Sequence, residues 1–416
     1  MALIVQKFGG TSVGDPDRMK AVAEHIAFTR SHGNDVVVAV SAMGKATDNL
    51  ISLANSVSRT QPGRELDMLL TTGERVSAAL LTMALADLGV EAVSFTGSQV
   101  GIITDTFHGK AKIVEVKGDR VRAALAAGQV CVVAGFQGVS TEREITTLGR
   151  GGTDTTAVAL AATLAADACE IYTDVTGVFS ADPRIVPLAR KLTRVHFDEM
   201  LEMAGAGSKV LALRSVEFAR NHNVPIHVRS SFTWEQGTWV NFEEPGMEDP
   251  IISGVVTDAN DAKVTVLGVP DQPGVSAALF EPLAARNVVV DMIVQNTSTE
   301  GHTDISFTVP KADMTTSEHI VGQVATEIGA KGVTHDANIA KVSIVGAGMK
   351  TSPGIAAKMF RTLADEGVNI EMISTSTIRV SVVVALSDLE RAARCLHNAF
   401  GLDGGQGYSG PLPERN

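Results

Sequence analysis

Side chains suited to phosphoryl and carboxylate chemistry gather at the glycine-rich points of this chain. Lys7 stands beside two glycines in Lys7-Phe8-Gly9-Gly10-Thr11-Ser12, and Ser41 opens Ser41-Ala42-Met43-Gly44. Arg150 and Asp154 fall within Thr146-Thr147-Leu148-Gly149-Arg150-Gly151-Gly152-Thr153-Asp154-Thr155-Thr156. Asp174 begins Asp174-Val175-Thr176-Gly177, Arg184 follows Asp182-Pro183, and Lys209 follows Gly205-Ala206-Gly207-Ser208. Two lysines, glycine N–H groups and helix ends form a cradle for a transferring phosphoryl group, where catalysis is mostly positioning and charge stabilisation. A carboxylate near the lysines would hold them in place. The P-loop pattern is absent, and no Gly-x-Gly-x-x-Gly opens a helix after the first strand, which argues against a dinucleotide site. His25, His32, His108 and His196 lack metal-ligand spacing, so no protein-held metal is expected.

The elements that must position these groups are legible from periodicity. Strand-like runs at Ala2 to Val5, Asp35 to Val40, Glu91 to Phe95, Val130 to Ala134 and Ala168 to Thr173 alternate with helical stretches such as Asp17 to His32 and Glu74 to Leu88. That βαβ rhythm predicts an α/β fold, a three-layer αβα sandwich around a largely parallel sheet. The polar motifs fall at the carboxyl ends of the strands, where such folds bind ligands. The run Thr146 to Thr156 leads into an Ala/Leu-rich helix and reads as a helix N-terminus, whose free N–H groups and partial positive charge receive a carboxylate or phosphate. Spacing alone fits an ordinary glycine turn before a capped helix equally well.

At 416 residues the chain is expected to hold two or three domains. Hydrophobic residues make up 44% and aromatics only 4%, so the cores must be aliphatic and base stacking on nucleic acid is disfavoured. A net charge of -12 with no Lys/Arg run opposes a polyanionic partner as well. Cys131, Cys169 and Cys395 are far apart in apolar runs and read as buried hydrophobes. No targeting signal and no bilayer-length apolar stretch is present, so a cytoplasmic protein without a membrane partner is expected.

Near Asn241 to Thr257 the composition turns to acid, Pro and Gly, which reads as a linker over 246–260 after a first domain of 1–245. An internal repeat comes next. Lys263-Val-Thr-Val-Leu-Gly is echoed by Lys341-Val-Ser-Ile-Val-Gly, Pro273-Gly274 by Pro353-Gly354, and Asp291-Met-Ile by Glu371-Met-Ile. Two α+β modules of ferredoxin-like βαββαβ order are expected at 261–335 and 336–404, with a flexible tail at 405–416. Such a pair could serve dimerisation alone; polar Asp291, Gln295, Asn296 and Ser298 at one strand end favour a ligand-binding role.

Taken together, Val5 to Ser12, Thr71-Thr-Gly-Glu-Arg75, Thr147 to Asp154, Tyr172-Thr-Asp174, Ala181-Asp-Pro-Arg184, Val345 to Lys350 and Ile373-Ser-Thr-Ser376 resemble, in this order, the bacterial aspartate kinases. These are members of the amino-acid kinase family with two C-terminal ACT domains, and the resemblance extends over nearly the whole chain. It implies ATP-dependent phosphorylation of the β-carboxylate of L-aspartate, with Lys7 and Lys209 stabilising the γ-phosphoryl group and Asp154 orienting them. Arg150 would hold the α-carboxylate and Glu74 the ammonium, with Thr47, Gly151, Gly152 and Thr153 completing the substrate site. Lys7, Phe8, Gly9, Gly10, Ser41, Thr173, Asp174, Phe179, Ser180, Ala181, Asp182, Pro183, Arg184 and Lys209 would line ATP. Mg2+ would ride mainly on phosphates and water. Lysine and threonine are the implied effectors, near Val289, Val290, Asp291, Gln295, Asn369, Ile370 and Thr377.

Departures from the family pattern matter. Lys45-Ala46-Thr47-Asp48 lacks one of two frequent threonines, Asp174-Val175 replaces a frequent pair of acids, and Phe179 replaces a frequent Tyr. Ser374-Thr-Ser-Thr377 ends where the family usually has Glu, so feedback weakened or retuned at Thr377 is expected. Glu243-Glu-Pro-Gly-Met247 could encode an internal start giving a shorter regulatory subunit, hence a heterotetramer; an ordinary acidic linker with a homodimer through the modules is the alternative. Rivals are a kinase for another amino-acid carboxylate and a catalytically silent amino-acid sensor. The Thr-Gly-Glu-Arg75 motif opposes the first, and intact Lys7, Glu74, Arg150, Asp154 and Lys209 oppose the second.

Overall fold

The structure is a computed structural model that describes residues 2–242, 251–296 and 301–403. Its first domain is built on an eight-stranded sheet. In spatial order the strands are Arg194–His196, Thr238–Asn241, Ile226–Ser230, Ala168–Thr173, Leu3–Phe8, Asp35–Val40, Val130–Ala134 and Ala92–Phe95. All neighbours run parallel except Ile226–Ser230 against Thr238–Asn241. Val36 to Val40 and Val130 to Val133 are essentially inaccessible, as central strands covered on both faces must be. One face packs on the helices Pro16–Ser31 and Thr72–Asp87 through Val22, Ile26, Leu81 and Leu85. The other packs on Gly152–Leu164, Phe197–Gly205 and Leu213–Asn221 through Val158, Leu160, Met200 and Val216. Three layers result.

Two features of this domain depart from the sequence reading. The first strand runs to Phe8, so Lys7 and Phe8 belong to it rather than to the loop beyond; both are held in register by parallel neighbours on either side. A separate four-stranded sheet, Ile113–Val116, Ile102–Thr104, Gln137–Ser140 and Ile145–Thr147, stands beside the main one. Its strands of three or four residues are too short for periodicity to reveal.

The repeat forms two four-stranded antiparallel sheets. In the first module the order is Ile293–Gln295, His302–Pro310, Asp261–Pro270 and Gly332–Asp336. The second is Met372–Thr375, Arg379–Ala385 and Ile339–Val345, with Gly254–Asp258 at the place its partner fills with Gly332–Asp336. Part of the expected linker is therefore a strand, paired from Gly254 against Val345 to Asp258 against Lys341. The first module is threaded between this strand and the rest of the second. Val255 and Val256 are the apolar pair buried there, a signal hidden by the Pro/Gly-rich context. The two copies match closely: Gly274 and Gly354, and Asn287 and Gly367, share left-handed backbone at the same turns. Met292 and Val294 of one copy meet Ile339, Met372 and Val383 of the other. Met247 and the tail beyond 404 lie outside the described residues.

Candidate active site

The glycine-rich run around Arg150 is a helix N-terminus. Gly152–Leu164 is helical, Gly151 is its N-cap at φ 72, and Thr153 to Thr156 are buried in its first turns. Only glycine suits Gly151, because an added Cβ would fall 2.3 Å from Ala212 Cβ in addition to straining the left-handed backbone. Lys7 and Phe8, adjacent in one strand, point to opposite faces. Lys7 Nζ lies 2.6 Å from Asp154 Oδ1, with both side chains largely shielded. Phe8 is fully buried and stacks on Tyr172 at 4.5 Å between centroids. Alternation sends its side chain into the core.

A cavity of about 320 Å³ collects Lys7, Gly9, Gly10, Ser41, Thr47, Glu74, Arg150, Gly151, Gly152, Thr153 and Asp154. Ala42, Gly44, Phe136 and Gly149 complete it. Ser41 Oγ donates to Thr153 Oγ1 at 2.9 Å, and Gly44 N donates to Gly10 O at 3.0 Å, which braces adjoining loops. Glu74 sits in the first turn of Thr72–Asp87, and Gly73 lets that helix approach so closely that an added Cβ would lie 2.8 Å from Ala42 Cβ. Ala42 N donates to Glu74 Oε1 at 3.3 Å, while Glu74 Oε2 is buried with no partner among the described residues. Burial pushes the Glu74 carboxyl up to about 7, outweighing the backbone N–H groups that favour its charge. Arg150 is exposed at the same cavity and makes no ion pair within 4.0 Å among the described residues.

The loop carrying Arg150 is clamped from two sides, which the sequence did not reveal because the clamps come from distant segments. Buried Asp67 accepts from Thr147 Oγ1 at 2.6 Å and from Gly109 N at 3.1 Å, and meets His108 Nδ1 at 2.8 Å. Arg214 donates to Leu148 O at 3.0 Å and to Ala111 O at 2.9 Å.

A second cavity of about 480 Å³ opens at the end of the adjacent strand. Thr173, Asp174, Phe179, Ala181, Asp182, Pro183, Arg184 and Lys209 line it, as do Met203, Gly207, Val255, Thr257, Asn260 and Leu389. Arg184 is gripped by Asp182, with Nη2 2.7 Å from Oδ2 and Nε also donating. Ser180 is buried, its Oγ meeting His397 Nε2 at 2.8 Å and accepting from Arg190 N, so its side chain ties the two domains. Lys209 stands on this wall and makes no ion pair with Asp154 among the described residues, so the carboxylate expected to serve both lysines is bonded to Lys7 alone. No group of three or more His, Cys, Asp or Glu that could hold a metal occurs among the described residues, and none of their helices is long and apolar enough to cross a membrane.

Of the expected effector residues, Val289, Gln295, Asn369 and Thr377 are exposed, while Val290 and Ile370 pack partly into their module cores. The Asp291 carboxylate is engaged by Lys341 of the other module.

Two polar cavities thus open at neighbouring strand ends of the sheet, one holding Lys7, Glu74, Arg150 and Asp154 and the other Asp174, Arg184 and Lys209. Residues 2–230 match the amino acid kinase family, and residues 264–322 and 342–400 match the ACT domain. An aspartokinase of Mycolicibacterium smegmatis is 54% identical over 409 residues, covering 97% of both chains. E. coli aspartokinase III in complex with aspartate and ADP superposes with a TM-score of 0.81 at 25% identity, covering 95% of this chain and 99% of that one. The same enzyme in complex with lysine and aspartate gives 0.72 at 26% identity, with 96% and 99% covered. The chain belongs to the aspartokinase family, the aspartate kinases within the amino acid kinase class.

Proposed function

We propose that the smaller cavity binds L-aspartate and the larger one ATP, so that the γ-phosphoryl group passes between them to give 4-phospho-L-aspartate. The observation that carries this reading is that Arg150, a guanidinium with no ion pair among the described residues, and Glu74 Oε2, a buried carboxylate oxygen with no donor among them, share one cavity beside Lys7. A zwitterion supplies both missing partners: its α-carboxylate takes Arg150 bidentately and its ammonium takes Glu74. An N-acylated amino acid carries no such cation and would leave Glu74 unpaired, which opposes acylated substrates. A β-carboxylate oxygen of aspartate then attacks the γ-phosphorus in line, and the bond to the β,γ-bridging oxygen breaks with its electron pair leaving on ADP. The attacking group is already ionised, so no proton need move. Lys7, held by Asp154, and Lys209 offset the charge that spreads over the phosphoryl oxygens.

Mg2+ would serve as the counter-ion of ATP, shielding phosphate charge and held mainly by phosphate oxygens and water, with the carboxylate of Asp174 on the cavity wall a hard-oxygen group suited to it. Lysine and threonine are the proposed effectors at the modules, by analogy with the lysine complex of the E. coli enzyme, and the cytoplasm is the proposed compartment. Paired modules support a homodimer, or an assembly with a shorter chain begun near Met247.

Steady-state kinetics with hydroxylamine trapping of the acyl phosphate tests the assignment. Arg150→Ala should raise KM for aspartate about 10- to 100-fold, the worth of a charge-assisted hydrogen bond, with kcat less affected. Asp154→Ala should chiefly lower kcat. Equal effects on both parameters would mean that the roles are wrongly divided, and absence of aspartate-dependent hydroxamate in the unaltered chain would point to the silent sensor.

A further inference from the structure

The helix Phe197–Gly205 of the kinase domain offers two carboxylates to the second ACT module. Glu199 accepts from Ala347 N at 2.8 Å and from Ser253 Oγ. Glu202 accepts from Ser376 Oγ at 2.6 Å and lies 3.1 Å from Arg379 Nη1. Ser376 and Arg379 flank the turn between the strands Met372–Thr375 and Arg379–Ala385. The Glu202–Arg379 pair is mostly shielded, at 23% and 15% side-chain exposure, so it is a charge-assisted contact rather than a loose surface pair.

Beyond its C-terminal end, this helix runs straight into the wall of the larger cavity. Ala206 N donates to Glu202 O at 2.9 Å and Ser208 N to Met203 O at 2.9 Å, so the loop bearing Lys209 hangs from the last turn, the one Glu202 anchors. Gly254–Asp258 packs against this loop, an added Cβ at Gly207 falling 2.8 Å from Asp258 Cβ, and its Val255 N donates to Ser180 O at 2.7 Å while the strand pairs with Ile339–Val345 of the module. The cavity is thus lined both by the kinase domain and by an edge strand of the module's sheet that touches the Lys209 loop. Displacing the module must disturb this lining.

We propose that Glu202 is a positioning residue for the nucleotide: by holding the Ser376–Arg379 turn it fixes the loop that carries Lys209, and the second ACT module thereby sets the affinity for ATP. The inference rests on the reading of the larger cavity as the nucleotide site. Calorimetric titration of the full chain with Mg-ADP, and separately with aspartate, tests it without requiring turnover. Glu202→Gln should weaken ADP binding about five- to tenfold, within the usual range for coupled sites, and leave aspartate affinity within about twofold. Ser376→Ala, at an exposed turn, should shift ADP affinity in the same direction by less and keeps the test open if the first variant folds poorly. Glu202→Gln combined with Arg379→Gln should lose no more than the worse single variant, because the pair acts as one unit. Unchanged ADP affinity in Glu202→Gln, or an equal loss of both ligands together with a lowered Tm, overturns the proposal. A Lys209→Ala control separates the two readings: if it leaves ADP affinity unchanged, the cavity assignment falls too, whereas a loss there with none in Glu202→Gln sinks only the positioning role.

Discussion

Glu74 shows how one residue can tie substrate affinity to pH. Its carboxyl, held near 7 by burial, is largely protonated at pH 6 and largely ionised at pH 8 in the empty site. Only the ionised form pairs with an ammonium. A raised carboxyl pKa also means that the folded empty enzyme disfavours the charge, a cost that grows as pH rises from 4.5 toward 7 and that the ammonium relieves. KM for aspartate should therefore fall as pH rises from 6 to 8, approaching about tenfold per pH unit below 7. Glu74→Gln should flatten that profile and raise KM throughout. A wild-type KM independent of pH in this window would remove Glu74 from ammonium binding.

At the scale of elements, the informative piece is the turn between Met372–Thr375 and Arg379–Ala385. Its flanks bind Glu202, and Thr377 stands exposed at its tip. A glutamate there would place a second anion close to Glu202 in sequence-distant but spatially adjacent chain, weakening a contact that ties module to kinase domain. Restoring the acid that the family usually carries, Thr377→Glu, should therefore strengthen inhibition by lysine plus threonine. An activity matrix over both amino acids measures this. Strong concerted inhibition that the substitution leaves unchanged would refute a role for Thr377.

The whole molecule is organised by the pseudo-twofold relation of its two modules. Lys263 of the first pairs with Glu371 of the second, and Lys341 of the second with Asp291 of the first, so equivalent residues exchange equivalent contacts. The two pairs differ in environment. Lys341 is 4% exposed and also lies 3.2 Å from Asp261; burial opposes its charge, but the two carboxylates outweigh it and raise its pKa. Lys263 and Glu371 are each about a fifth exposed. Lys341→Met should therefore cost about 3 kcal/mol, chiefly by stranding the mostly buried Asp261, whereas Lys263→Met should cost about 1 kcal/mol or less. Urea unfolding of the full chain, followed at both domains, distinguishes the two; equal losses would show that the symmetry is not broken by burial.

Much of this protein is local information. Valine-rich runs, glycine turns and the duplicated Lys263/Lys341 segments determine a covered parallel sheet and two like modules, because strand and helix periods and turn chemistry act over a few residues. The same locality brought Lys7, Ser41, Arg150 and Asp174 into view as polar residues near strand ends, whereas Thr47 and Glu74, which lie on helices, entered only through the resemblance. Tertiary structure alone decided which way those residues face and what holds them. Alternation about a doubly paired strand sends Lys7 to Asp154 and Phe8 to the core. The clamp of Asp67 and Arg214, the capture of Gly254–Asp258 by the second module, and the contact of Glu202 with Arg379 join segments far apart in sequence. Such contacts depend on where whole elements come to rest, and that is settled by packing across the entire fold rather than by any stretch within it.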